Sequence, residues 1–405
     1  MSIVFGIIIG LIILMLLVVA HEFGHFIMAR RNGVKVNEFG IGFPPRAIAW
    51  KRNPDWKKGK KDVKKWLRIP KEEWDQPQKT LIFSINWLPI GGFCSMDGES
   101  AADTRKGTFG AASFWAKTKI LFGGVVMNWL VAFVLLTILA FTGMPQFIAN
   151  QFYLANDAKI IGDGVTIMEV MPDSPAAKAG FEKDDVIVAV DGQSIVYPAD
   201  VTRIGQENAG QKISYRVRRG NEEIELMPDL NDKDAEYILG VSMSYGQTFI
   251  RSSWSAPLVG AVTTVQLTGE TFRGLGDMVW NLISGVARQF SSNDTVRSEG
   301  QAALSAAGDS VSGPIGIIGV IFPAFASSGI ANLVFLAALI SVSLACMNIL
   351  PIPALDGGRW LLIAIYKIRG KTLSKETEEK IVSRAFMFLL MLIFLISILD
   401  VMRLF

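Results

Sequence analysis

Four stretches of this chain are apolar on every side rather than along one stripe. The first begins at Ile3 and runs uncharged to Ala20, continuing through His21–Met28. The others run from about Ile120 to Gly143, from about Ile330 to Leu350 and from about Ala385 to Leu399. A core helix needs only one apolar face, whereas hydrocarbon demands apolar side chains all round for about 20 residues. Four membrane-spanning helices are therefore predicted. Between the second and third the pattern changes. Val165–Val170 alternates like a strand, Pro172–Gly180 reads as a turn, a short helix and a glycine stop, and Asp185–Val190 is a second strand closed by Asp191-Gly192. Pro198–Asn208 is helix-like, Lys212–Val217 and Glu222–Met227 form a hairpin, and Tyr237–Met243 supplies a last strand. Gly285–Gly313, rich in Ser, Ala and Gly, reads as a flexible link. The expected organisation is a membrane part over 1–144, a small α/β domain over 160–245, a linker with an amphipathic segment over 246–328, and the last two spans over 329–405.

Composition agrees with a bilayer. Half the residues are hydrophobic and the mean hydropathy is +0.36, whereas a net charge of +3 gives no reason to expect a nucleic-acid partner. Charge placement orients the spans. Between Arg46 and Lys79 there are 12 Lys/Arg against 5 Asp/Glu, and between Arg359 and Arg384 there are 7 against 3. From Pro145 to Ser328 the balance reverses to 13 against 22. The two short basic connections are expected in the cytoplasm and the long acidic one outside, with both termini outside. No basic residue precedes the first apolar run and no small-residue cleavage site follows it, so it is expected to stay as a span rather than be removed as a signal peptide. Cys94 and Cys346 are assigned to packing, not to a disulfide or a metal.

The chain has two histidines, His21 and His25, and they stand in His21-Glu22-Phe23-Gly24-His25. Residues four apart share a helix face, so both imidazoles can hold one zinc ion with Glu22 beside them as general base. Such groups at the end of an apolar helix are costly in lipid unless they have partners or a function. A third ligand is required, and Asp356 is the candidate. It ends Asn348-Ile-Leu-Pro-Ile-Pro-Ala-Leu-Asp-Gly-Gly358, where Pro351 and Pro353 break the third helix and Gly357-Gly358 permits a sharp turn. Asn348 could hydrogen-bond a substrate backbone or a developing oxyanion. An ordinary helix-ending turn with a solvated aspartate is the alternative, and the pattern alone leaves both open.

This pairing of H-E-x-x-H in a first span with N-x-x-P-x-P-x-L-D-G-G in a late one resembles the site-2 protease family of intramembrane zinc metalloproteases. More narrowly, it is similar to the bacterial regulator-of-sigma-E protease branch, which carries a PDZ domain. Glu38–Phe43, Asn86–Phe93 with Met96–Glu99, Gly124–Asn128 and Ser312–Gly316 match other segments of that family, and Ser174–Gly180 with Asp185–Gly192 resemble PDZ domains. The resemblance implies a polytopic α-helical membrane protein of about four spans, with a membrane-embedded β-hairpin region and a small α/β PDZ-like domain outside. It implies zinc held by His21, His25 and Asp356, with Glu22 as general base and Asn348 holding the substrate strand. It further implies a multi-pass place in the bacterial inner membrane, an active site towards the cytoplasm, and substrates that are single-pass membrane proteins such as anti-sigma factors, or signal-peptide remnants. The hairpin near Gly91-Gly92 would pair with an unwound substrate, and the PDZ groove would bind a peptide C-terminus or exclude untrimmed substrates by size. Val125 stands where the family usually has proline. Lys51 to about Gln78, with Trp56, Trp66 and Trp74, looks like an insertion, either a solvated basic loop or a segment laid on anionic headgroups. A scaffold without activity has no chemical need to keep all four zinc-site residues, and no internal repeat of the transporter kind is visible.

Overall fold

The computed structural model describes residues 3–53, 55–56, 64–74, 80–100, 103–148, 150–162, 164–220, 222–245 and 248–404. Parts of the Lys/Trp-rich insertion (54, 57–63 and 75–78) lie outside them. In chain order the elements begin with α1 (Ile3–Arg31), β1 (Val36–Arg52), β2 (Trp66–Arg68), β3 (Ile82–Met96) and α2 (Phe114–Thr142). Next come β4 (Met144–Pro145), β5 (Lys159–Gly162), β6 (Val165–Val170), α3 (Pro175–Ala179), β7 (Val186–Val190), β8 (Gln193–Ser194) and α4 (Pro198–Glu207). Then follow β9 (Tyr215–Arg219), β10 (Glu222–Leu226), β11 (Val241–Tyr245), β12 (Thr248–Arg251), α5 (Ala256–Gln289) and α6 (Asp294–Asp309). The chain closes with α7 (Pro314–Gly316), α8 (Phe322–Ser327), α9 (Ile330–Ile349), α10 (Asp356–Ile368) and α11 (Lys375–Leu404). Two compact units result, one of residues 1–135 with 264–405 and the other of residues 136–263.

In the first unit, α1, α2, α9 and α11 are long and apolar enough to cross a membrane. The bent pair of α6 with the 314–327 segment, kinked by 53°, would make a fifth if it crosses as one span. The expected flexible link at 285–313 is overturned here. Its residues continue α5 and then form α6, whose N-cap Asn293 accepts from Thr295 N–H at 2.9 Å. Ser-Glu-Gly-Gln-Ala-Ala-Leu-Ser-Ala-Ala is too rich in alanine, the best helix former, to stay loose. A π-helical turn at Ile317–Ile321 leads into α8, and Gly6 and Gly10 of α1 give room for Pro323 and Phe322. Asp400 of α11 is buried, and both its oxygens are used: Gly313 N–H and Gly316 N–H donate to them at 3.1 and 2.8 Å.

The expected hairpin is a larger sheet. β1 and β3 each bend into two segments, so Phe39 stands opposite both Cys94 and Phe83, and Trp50 opposite Phe83 and Arg68. The resulting order is 92–96, 36–41, 82–86, 46–52 and β2. Among the described residues no further strand pairs with the 92–96 edge. Glu38, buried in this sheet, is gripped from both oxygens by Arg46. Phe26, Phe39, Phe109, Ile120 and Ile363 form the core that binds the sheet to α1, α2 and α10.

The second unit has an alternating inside and outside. Its main sheet runs β10-β9-β7-β6-β11, with β8 beside β7, and covers Val165, Ile167, Ile187, Tyr215 and Val217. Ser174 caps α3 by accepting from Ala177 N–H, and Gly180 ends it with φ of 84°, a left-handed turn that suits glycine. A small sheet β4-β12-β5, not foreseen from the sequence, precedes α5. Its strands are two to four residues long, too short to leave a readable alternation.

Candidate metal centre

His21 and His25 lie one turn apart on α1, both buried, with Glu22 half-buried beside them. Asp356 begins α10. The three donor atoms converge: His21 Nε2 and His25 Nε2 are 3.1 Å apart, and Asp356 Oδ2 is 3.1 Å from the first and 3.3 Å from the second. Donors at zinc distances of about 2.0–2.1 Å on a tetrahedron stand about 3.3 Å apart, so this triangle fits one face of a zinc site and leaves the fourth corner open. Glu22 forms with His21 and His25 a group whose possible ligand atoms all lie within 4.8 Å of one another. The backbone amide of Cys94, in the 92–96 edge segment, hydrogen-bonds it.

The far side of each ring is fixed as well. His25 Nδ1 lies 2.8 Å from the Ile120 carbonyl, which accepts its proton and leaves the Nε2 lone pair for a metal. The Asn128 carboxamide lies 3.3 Å from His21 Nδ1 and is fully buried, and Ser341 Oγ donates to the Asn128 carbonyl at 2.8 Å. Turned so that its oxygen faces the ring, that carboxamide accepts from Nδ1–H and frees His21 Nε2 in the same way.

Glycines make the space. A Cβ on Gly24 would stand 2.1 Å from the Gly123 carbonyl oxygen, so α1 and α2 cross with backbones nearly touching. A Cβ on Gly124 would stand 2.6 Å from His21 Nε2 and 2.7 Å from His25 Nε2, in the space between the two ligand atoms. The Gly357-Gly358 pair does a different job from the turn expected of it. Both residues lie in the first turn of α10, where a Cβ would stand 2.0 Å from the carbonyl oxygens of Ile349 and Ile352 respectively. The chain reversal itself falls in 350–355, and the glycines let the helix start lie flat against it.

Four of the five residues singled out in the sequence thus meet. Asn348 is placed differently: it is half-buried near the end of α9 and its Nδ2 donates to the Leu344 carbonyl at 3.0 Å. The sequence reading matched Gly124 and Asn128 to a family segment without giving either a task. The available signal was the adjacent small pair Gly123-Gly124 with an asparagine one helical turn on.

The chain is similar to several known proteins. The profile of peptidase family M50 matches residues 9–55 and 69–393. The regulator of sigma-W protease RasP of Bacillus subtilis is 27% identical, with 96% of each chain covered. The zinc metalloprotease RasP of Oceanobacillus iheyensis is 25% identical over 96% of this chain and 97% of its own. Among solved structures, the PDZ domain of an SdrC-like protein from Listeria innocua is similar over 20% of this chain and 96% of its own, at 26% identity and a TM-score of 0.19. The chain belongs to peptidase family M50, as a multi-pass membrane zinc metalloprotease.

Proposed function

We propose that the enzyme hydrolyses peptide bonds within or near the membrane segments of single-pass proteins, with zinc held by His21, His25 and Asp356. The observation that carries this is the convergence of those three donors beside Glu22, with His21, Glu22 and His25 on a helix apolar enough to span a bilayer. Zinc supplies Lewis acidity there, lowering the pKa of water and polarising a carbonyl. Glu22 takes the proton from the attacking water and returns it to the leaving amine. A peptide bond inside a helix is shielded by its own hydrogen bonds, so the substrate must be unwound first. The 92–96 edge beside Glu22, which no further strand covers among the described residues, supports strand addition as the means of holding it extended. Asn348 joins the substrate strand once its carboxamide leaves Leu344.

The charge asymmetry of the connections supports a bacterial inner-membrane placement with the active site towards the cytoplasm and the PDZ-like domain at 160–245 outside. The sheet and two helices of those residues support the PDZ-like reading. A groove of about 530 Å³ lined by α4 residues Val201 and Gly205 and by Leu239, Gly240 and Val241 suits a peptide end. Substrates on this reading are anti-sigma factors or signal-peptide remnants; the Bacillus subtilis relative is by name a regulator of sigma-W.

The test is zinc content and cleavage in detergent-purified, full-length protein. About one zinc per wild-type chain, a clear loss in Asp356→Ala, and no cleavage of a single-pass substrate by a zinc-loaded Glu22→Gln variant are expected. Cleavage by Glu22→Gln at the wild-type rate would exclude the proposed general base.

A further inference from the structure

Arg359 stands three residues after Asp356, on the same side of α10 one turn on. Both side chains line a cavity of about 760 Å³ bounded by Glu99, Arg105, Lys375 and Glu378 as well. Inside it the Arg359 guanidinium joins three parts of the chain. Its Nη2 donates to the Glu99 carbonyl, its Nε donates to Glu378 Oε1 at 3.3 Å, and its carbon sits 5.3 Å from the centre of the Phe109 ring. Glu378, in the early turns of α11, has a side chain only 5% exposed, and its second oxygen accepts from Ser100 Oγ at 3.1 Å. A carboxylate so far from water needs a fixed cation, and a guanidinium with several directed donors suits a junction of three segments better than a lysine would.

Among the described residues, the polar side chains that fasten the first turn of α10 are Asp356, at His21 and His25, and Arg359. The helix N-cap is Leu355, which provides no side-chain cap. Further along, Trp360 Nε1 donates to Thr118 Oγ1 of α2 at 2.9 Å, which ties the helix to the element that carries Gly124 and Asn128. The glycine contacts with Ile349 and Ile352 fix how close the helix start can come. The junction at Arg359 adds a directed hold one turn from Asp356.

We propose that Arg359, held by Glu378, is a positioning residue for the zinc centre: it sets the first turn of α10 so that the Asp356 carboxylate meets His21 and His25. The inference rests on the reading of Asp356 as a zinc ligand. It assigns the pairing of Arg359 with the buried Glu378 to metal affinity rather than to holding α11 in place.

Full-length protein in detergent, stripped of metal, is titrated with zinc against a chromophoric chelator, and the apo form is melted in parallel. Arg359→Ala and Glu378→Gln are expected to bind zinc roughly 10–100-fold more weakly, the range seen when the outer partners of metal ligands are removed. Arg359→Lys, which keeps the charge but loses the fork, is expected in between. Asp356→Ala separates the two readings. Zinc lost in Asp356→Ala but held within twofold of wild type in Arg359→Ala, Glu378→Gln and Arg359→Lys overturns the positioning role and leaves the ligand reading intact. Wild-type zinc affinity in Asp356→Ala removes the ligand reading and the positioning role with it. A lowered apo melting temperature with unchanged zinc affinity means the pair is merely structural, which also overturns the proposal. Should Arg359→Ala not fold, Arg359→Lys and Glu378→Gln carry the same readout.

Discussion

The two units of this protein bury opposite things. Residues 136–263 hide Ile167, Ile187 and Val217 behind polar strand faces, as a domain in water must. The other unit turns Ile8, Ile12, Leu16, Phe388 and Phe394 outwards and buries His21, His25, Asn128, Ser341 and Asp400. Polar side chains cluster in the interior around His21 and His25 in one unit, whereas in the other the apolar core is flanked by a few buried polar groups such as Ser174 and Asp185. Glycine follows the same division. In the second unit Gly180 and Gly192 are turn residues with positive φ and open space where a Cβ would be. In the first, Gly24 and Gly124 are helical residues where a Cβ would run into backbone or into the His21 and His25 rings.

The largest expected effect tests that last statement. Gly124→Ala places a methyl within 2.7 Å of both histidine Nε2 atoms, a distance no relaxed Cβ contact shows. Zinc binding is expected to collapse and proteolysis to fall by more than about 100-fold, about what 3 kcal/mol at the transition state removes. The α/β unit should keep its fold, as hydrogen exchange over residues 165–245 would report. Full zinc occupancy in Gly124→Ala would mean the ion does not sit between these rings.

How much of this was readable in advance differs between the units for the same physical reason. Strand alternation in Val165–Val170 and the Ser174 cap announced β6 and α3 because water enforces two kinds of face. The His21-Glu22-x-x-His25 spacing announced the site because four residues are one helical turn. Helices apolar on all sides carry no such mark, so neither the face of α2 that meets α1 nor the place of Gly124 and Asn128 beside the histidines could be read in advance. The sheet hidden in Val36–Met96 was foreseen only as a hairpin. Its segments 36–41 and 82–86 each have two neighbours, and a long-range pairing of that kind leaves no local periodicity.

A second comparison concerns how each unit holds a buried carboxylate. In the α/β unit Arg219 grips Asp185 with both arms, Nε to Oδ1 at 2.7 Å and Nη2 to Oδ2 at 2.8 Å, while Glu182 N–H donates to Oδ2 at 2.9 Å. Arg359 holds Glu378 with one arm and spends another on the Glu99 carbonyl. The Asp185 pair is therefore expected to act on stability alone. Asp185→Ala should destabilise residues 165–245 by about 2–3 kcal/mol, the range for a lost charge-assisted bond that leaves a partner unpaired, and leave zinc affinity unchanged. Burial works to raise the Asp185 pKa, but the Arg219 and Glu182 hydrogen bonds outweigh it and hold the carboxyl below its ordinary value. A depressed carboxylate stabilises the fold above its unfolded pKa of about 3.9, and that stability is lost as the pH falls through the folded value. Asp157, pushed down to about 2 by hydrogen bonds from Ser253 and Ser255, has the same sign. Protection of this unit should therefore weaken as the pH falls below about 4, and less steeply in Asp185→Ala. Identical acid profiles would exclude Asp185 as a contributor.

The smallest expected effect repeats the glycine test where the answer should change sign. Gly205 lies inside α4, and a Cβ there would meet only Ile238 Cγ2 at 3.8 Å and Tyr215 Oη at 3.9 Å, both ordinary contacts. Gly205→Ala adds a methyl without strain and removes backbone freedom from the unfolded chain, so it should stabilise the unit by about 0.5–1 kcal/mol. The same substitution that destroys the centre at Gly124 thus strengthens the α/β unit at Gly205. Gly205 also lines the groove beside Leu239 and Val241, so the methyl tests whether that space is used. Weaker binding of a peptide bearing a free C-terminus, together with higher stability, would mean that α4 keeps a glycine to leave room for a ligand. Unchanged peptide binding would mean that a bound peptide does not approach Gly205. A fall in stability would break the comparison itself, because it would show that helix packing in the water-facing unit is as intolerant of one methyl as the crossing of α1 and α2.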